Sequence, residues 1–177
     1  MPDFVSGLDL SRRFFQQIVR PLLATAFPNL PYAAALLGPG SEVLGFDTEM
    51  SIDHDWGPRL FLFLREEDAE QGDAIGNLLS QQLPETFADF PVSFPALSES
   101  RTRLMIRPLA GSVKHRIISI TMRNFVRVQL GYDLAQPLLA ADWLTFPSHA
   151  LGELVAGAVY HDAVGELTAL RTRFGWY

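Results

Sequence analysis

Two stretches of the chain have residue types and spacing suited to chemistry. The first is Leu37-Gly38-Pro39-Gly40-Ser41, a glycine turn that closes an apolar run. Such a turn exposes backbone N–H groups and one hydroxyl. A short helix expected over Ser41 to Phe46 would add a partial positive charge at its start, and that combination suits phosphate. After eleven intervening residues comes Asp53-His54-Asp55-Trp56. At the opening of a strand, period-2 geometry sends Asp53 and Asp55 to one face and His54 to the other. Two parallel carboxylates repel each other unless a cation sits between them. A hard divalent ion with oxygen ligands, usually Mg²⁺, is the natural partner. Arg59, on the same strand, either contacts phosphate or pairs with a nearby acid. His54 reads as a structural, hydrogen-bonding histidine. Asp47 and Glu49, in the preceding loop, are either solvated or lend a further carboxylate.

These side chains need a scaffold, and the pattern of apolar residues describes one. Leu8 to Phe27 reads as a helix with Phe14, Phe15, Ile18, Val19, Leu22 and Leu23 on one stripe; Pro21 must kink or split it, and Pro28 and Pro31 end it. Tyr32 to Leu37 fits a buried strand. Trp56 to Leu64 holds the densest strand signal, and its near-continuous apolar core, Leu60 to Leu64, implies a central strand covered on both faces. Arg65 to Leu83 is helical in pattern, with Glu66, Glu67 and Asp68 near the positive end of the dipole. Pro91 to Leu97, bracketed by prolines, reads as an edge strand. Val113 to Thr121 is a strand. Asn124 to Leu130 and Ala140 to Leu144 form short helices, Ser148 to Tyr160 a longer one, and Gly165 to Arg173 another. The class is α/β (α+β): a mixed sheet flanked by helices, with a helical C-terminal segment.

Composition narrows the options further. The chain has 177 residues, enough for one domain with a full core, and 48% of them are hydrophobic, which excludes wholesale disorder. Without cysteine there is no disulfide, zinc-thiolate site or thiol nucleophile. With no apolar leader or spanning run, a cytoplasmic protein with no membrane partner is expected. Net charge is −6, which argues against broad binding to nucleic acid. The sum hides an asymmetry. Glu42 to Asp73 holds ten acids and two bases, whereas Arg101 to Tyr132 holds seven cations and no acid. An acidic pole able to hold metal thus adjoins a basic stretch able to hold phosphate; the alternative is two solvated faces that attract each other across the fold. His161-Asp162 could belong to a phosphohydrolase-type metal site, but that chemistry needs further histidines, and His54, His115 and His149 are the only others.

Gly40-Ser41 followed by Asp53 and Asp55 matches, in type and spacing, the signature of the nucleotidyltransferase superfamily related to DNA polymerase beta. The longer run Gly40-Ser41-Glu42-Val43-Leu44-Gly45-Phe46-Asp47, with Ser51 to Arg59, more specifically resembles a bacterial family called domain of unknown function 4037. Ala141 to Leu144, His161-Asp162 and Gly165 to Thr168 add to the likeness. The resemblance implies that Gly40 and Ser41 hold the triphosphate of ATP or another NTP, with Asp53 and Asp55 binding Mg²⁺. The implied reaction is in-line transfer of a nucleoside monophosphate to an acceptor hydroxyl, of a small molecule or a macromolecule, releasing pyrophosphate.

The sequence departs from that pattern in two places. His54 stands where a hydrophobic residue is expected. The third carboxylate that typically completes such a site is missing from Val113 to Thr121, which carries Ser119 and Thr121 instead. The alternative is therefore a degenerate module that binds nucleotide without turnover. Members of the family are longer, so residues 1–135 are expected to form the nucleotidyltransferase-like core. Residues 136–177 would then begin a second, helical domain that is truncated here. The aromatic end Phe174-Gly175-Trp176-Tyr177 either folds back on the core or meets a helical partner domain or a second copy.

Overall fold

The computed structural model describes residues 4–53, 56–94 and 113–175. Ser6 opens helix α1 (Gly7–Phe14), its hydroxyl accepting from the Asp9 N–H at 3.2 Å. The chain then passes through a π-helical stretch, Phe15–Val19, into α2 (Arg20–Ala26). Pro21 does not split the long helix. It has no N–H to donate and its ring crowds the carbonyl one turn back, and the ladder widens just before it: the Arg20 N–H reaches Phe15 O, five residues back. The apolar stripe stays continuous, with Leu10, Phe14, Phe15, Val19 and Leu23 all buried.

Strand β1 (Tyr32–Leu36) follows, buried along its whole length. β2 (Arg59–Leu64) pairs with it antiparallel, Ala34 opposite Leu62. A 3₁₀ turn, Glu66–Asp68, leads into α3 (Gln71–Gln82), so the acidic residues expected at the helix start occupy a separate turn before it. β3 (Thr86–Phe87) and β4 (Phe90–Pro91) form a short hairpin that shares only Pro91 with the segment expected as an edge strand, Pro91 to Leu97, of which residues 95–97 lie outside the described part. β5 (Arg116–Thr121) lies parallel to β2, Phe61 opposite Ile118. Then come α4 (Met122–Leu130), capped by the Thr121 hydroxyl, α5 (Ala140–Trp143) and α6 (Ser148–Val155).

The C-terminal third departs from the expected run of helices. α6 stops at Val155, and β6 (Ala158–Asp162) joins the sheet antiparallel to β1 before α7 (Glu166–Phe174). Gly157 makes the reversal. Its φ is +71°, and a Cβ there would lie 2.1 Å from the Leu36 carbonyl oxygen, so a side chain has neither the conformation nor the room. Strand order is β5-β2-β1-β6.

Both faces of this mixed sheet are covered. On one, Leu60, Leu62, Leu64 and Ile117 meet α1, α2 and α3. On the other, Ala33, Ala35 and Phe63 meet α4, α6 and α7. Phe174 is fully buried in that second layer against Tyr132, Trp143 and Phe146, so this much of the aromatic end folds back on the core; Trp176 and Tyr177 lie outside the described residues. Among the described residues no helix is long and apolar enough to cross a membrane.

Two histidines sit where burial disfavours their charged form. His115 accepts the Ile117 N–H on Nδ1 at 3.1 Å and faces the Gly76 carbonyl with Nε2 at 3.2 Å, the tautomer in which Nε2 donates. Burial lowers its pKa. His161 packs against Phe15 and Tyr32, and burial, then the Arg20 charge, lower its pKa as well. The unfolded chain takes up protons on both near pH ~6.5, where the folded chain resists them. Their contribution is therefore whole above that pH and lost below it. The urea midpoint should fall between about pH 7.5 and about pH 5, and a His115→Gln, His161→Gln variant should show a flatter decline in the same titration.

Candidate functional site

The glycine turn lies where β1 leaves the sheet and β2 and β5 enter it. Gly38 has φ +80° and Gly40 φ +149°. A Cβ on Gly40 would lie 2.2 Å from Nη2 of Arg59 and 2.6 Å from Oε2 of Glu42. Only glycine fits. The turn continues as linked reversals, the Val43 N–H donating to Gly40 O at 3.1 Å and the Phe46 N–H to Ser41 O at 2.8 Å. These take the place of the short helix expected from Ser41 to Phe46, and Gly45, at φ +75°, cannot extend one.

A buried ion pair fastens the elbow to the sheet. Nε of Arg59 donates to Oε1 of Glu42 at 2.7 Å, and Nη2 lies 2.5 Å from the same oxygen. Nη2 also donates to the Pro39 carbonyl at 2.6 Å. The two residues are only 5% and 3% exposed. Arg59, considered above as a phosphate contact or a salt-bridge partner, thus forms the salt bridge and commits two of its nitrogens to the turn itself. Glu42 is the residue the sequence reading left without a role. The signal was available: an arginine opening an otherwise apolar strand needs an acid beside it.

Four further bonds hold the elbow and the loop after it from outside. The Gly38 N–H donates to Glu153 O on α6, and the Gly157 N–H to Val43 O. Asp47, in the following loop, is not simply solvated. Its Oδ2 accepts the Gly7 N–H at the start of α1 at 2.6 Å and the Trp56 indole N–H at 3.2 Å. Among the described residues the N–H groups of Gly40 and Ser41 are left unspent, and Ser41 is exposed.

At Asp53 the backbone differs from the expectation. Asp53 ends a 3₁₀ helix, Glu49–Asp53, and β2 begins only at Arg59. Gly57, at φ +141°, and Pro58, with no N–H for a ladder, delay the strand. The period-2 argument therefore does not apply to the backbone at Asp53, while His54 and Asp55 lie outside the described residues. Among the described residues no group of three or more His, Cys, Asp or Glu side chains is arranged to hold a metal. β5, the neighbour of β2, presents Ser119 opposite Leu62 and Thr121 opposite Leu64, with no acid.

Beside the elbow, between β2, β5 and α4, is a cavity of about 330 Å³. Phe61, Ile118, Ile120, Phe125, Val128 and Gln129 form most of its wall, with Pro39 and Arg59 at the elbow end. Of the described arginines in the basic stretch, Arg123 and Arg127 are held by Asp133, Arg123 through two 2.7 Å bonds, and Arg116 lies over the Phe94 ring. The guanidiniums keep the Asp133 carboxyl well below the usual carboxylate range. The His161-Asp162 pair serves the scaffold: Asp162 accepts from the N–H groups of Gly165 and Thr168 at the start of α7.

Residues 143–177 match the model of a family described as a domain of unknown function (DUF4037). That is the family the sequence resembles. The DUF4037 segment contains Glu153 and Gly157, the two residues that fasten the elbow from the C-terminal side. No curated protein and no solved structure gave a match.

The ion pair yields a direct stability test. Arg59→Met leaves the Glu42 carboxylate buried without its partner and should cost about 3–5 kcal/mol in urea unfolding. Adding Glu42→Leu should recover a large part of that loss, because the uncompensated charge is then removed.

Proposed function

We propose that the chain is a Mg²⁺-dependent nucleotidyltransferase that moves a nucleoside monophosphate from an NTP such as ATP to an acceptor hydroxyl. The observation that carries this reading is the elbow. Two amides without acceptors and an exposed hydroxyl, at Gly40 and Ser41, are offered at one end of the sheet. Asp53 and Asp55 precede β2 in the sequence, and β2 begins at that same end with Arg59. Unspent N–H groups in a tight glycine turn favour an anion, and phosphate oxygens are the acceptors they suit. Resemblance to the superfamily signature supports the same assignment.

Asp53 and Asp55 would hold the Mg²⁺, a fit of hard oxygen donors to a hard ion, which would neutralise charge building on the phosphates. Gly40 and Ser41 orient the triphosphate. The acceptor hydroxyl gives its proton to solvent as its oxygen attacks the α-phosphorus, the bond from that phosphorus to the bridging oxygen breaks, and pyrophosphate leaves. The net charge of −6 favours a small-molecule or protein acceptor over a long nucleic acid. A cytoplasmic location and a helical partner domain or second copy are part of the same proposal.

A second reading is favoured by β5. With Ser119 and Thr121 where a third carboxylate would serve the acceptor, the chain binds nucleotide without transferring it. One experiment separates the two. Incubated with α-phosphate-labelled ATP, Mg²⁺ and cell lysate, the protein should label an acceptor. Asp53→Asn with Asp55→Asn should reduce that labelling by about a hundredfold or more. Saturable Mg²⁺–ATP binding by calorimetry, without pyrophosphate release, would select the binding module. Absence of both labelling and binding with all four nucleotides would refute either form.

A further inference from the structure

The cavity between β2, β5 and α4 adjoins the elbow, with Pro39 in its wall. A Cβ on Gly38 would lie 3.1 Å from the Gln129 amide nitrogen and 3.8 Å from the rings of both Phe125 and Phe61, all three of which line the cavity. The bare Gly38 backbone thus lets the turn that carries Gly40 and Ser41 lie directly against this apolar space. We propose that this cavity receives the nucleoside half of the nucleotide whose phosphates rest on the elbow, with Gln129 reading the base; this rests on the nucleotide reading given above.

Size and chemistry both point to that occupant. At about 330 Å³ the space falls at the small end of ligand pockets, room for one base and sugar. Its walls are aromatic and aliphatic, suited to the flat faces of a base. The cations at its edge are already engaged, Arg59 with Glu42 and Pro39, and Arg116 over the Phe94 ring, so the neutral part of the nucleotide belongs here. At the rim, Ile118 is 44% and Val128 76% exposed, large apolar surfaces that a bound base would cover. The Gln129 side-chain amide makes no hydrogen bond among the described residues. A glutamine amide can donate to and accept from adjacent groups on the adenine edge, so adenine is the favoured base.

Calorimetry in Mg²⁺ with ATP, the other three NTPs and inorganic tripolyphosphate tests this. The wild-type chain should bind ATP about tenfold or more tightly than tripolyphosphate, the surplus coming from the base. Ile118→Trp, which fills the cavity from its exposed edge, should remove that surplus and leave tripolyphosphate binding unchanged. Gln129→Ala should bring the four NTPs close to one affinity. Should Ile118→Trp also lose tripolyphosphate, Val128→Trp on the opposite wall makes the same test from α4. ATP binding no tighter than tripolyphosphate, or a surplus that survives both tryptophans, overturns the cavity assignment and leaves the phosphate elbow standing. A wild-type chain that binds neither ligand overturns both.

Discussion

The buried pair between Glu42 and Arg59 is the constraint on which the elbow depends. A carboxylate and a guanidinium removed from water are tolerable only when each meets the other with good geometry and when the remaining hydrogen-bond capacity is filled. Here the guanidinium bridges the Glu42 carboxylate and the Pro39 carbonyl, joining the first residue of β2 to both sides of the turn. The turn cannot shift without breaking charge contacts in a dry setting. That rigidity fixes where the unspent amides are offered, and a site made of backbone groups has no side-chain rotamers with which to adjust.

The surrounding elements serve this arrangement in layers. β1 is small and fully buried, its three consecutive alanines letting helices approach closely from both faces. α1 reaches the site through Asp47, which joins its first N–H to the Trp56 indole. α6 and the residue before β6 hold the turn from the far side, through Glu153 and Gly157. Elements from the beginning, middle and end of the chain therefore converge on one loop of about ten residues.

Much of this was legible in the amino acids. β1, β2 and β5 are short apolar runs, alanine-rich in β1 and rich in Leu, Phe and Ile in the other two, and the glycines announce the elbow. β6 was not legible, because Ala158-Val159-Tyr160-His161-Asp162 has no clean alternation and follows directly on a helical pattern. Gly157 was the one local sign that the helix ends. The pairing with β1 that stabilises β6 is non-local and invisible to periodicity. The long first helix was read correctly in extent, but its π-helical stretch is a compromise between Pro21 and an apolar stripe, and only packing decides such a contest. The late start of β2 was not legible, and the backbone at Asp53 is a 3₁₀ turn in place of a strand opening. Trp56 is buried and tied to Asp47, and Gly57-Pro58 must turn before a ladder can start, so the strand begins later than its apolar composition suggests.

The far-apart pairing of β1 with β6 has a consequence for biogenesis. The Tyr160 hydroxyl donates to Leu8 O across a separation of 152 residues, and β1 is flanked on one side only until β6 arrives. Closing so large a loop carries its entropic cost before any contact repays it. On the ribosome, the α1–β1–β2 portion must therefore wait with a central strand edge uncovered. That exposed edge is the point at which a chaperone or a mispaired neighbour would first engage the nascent chain.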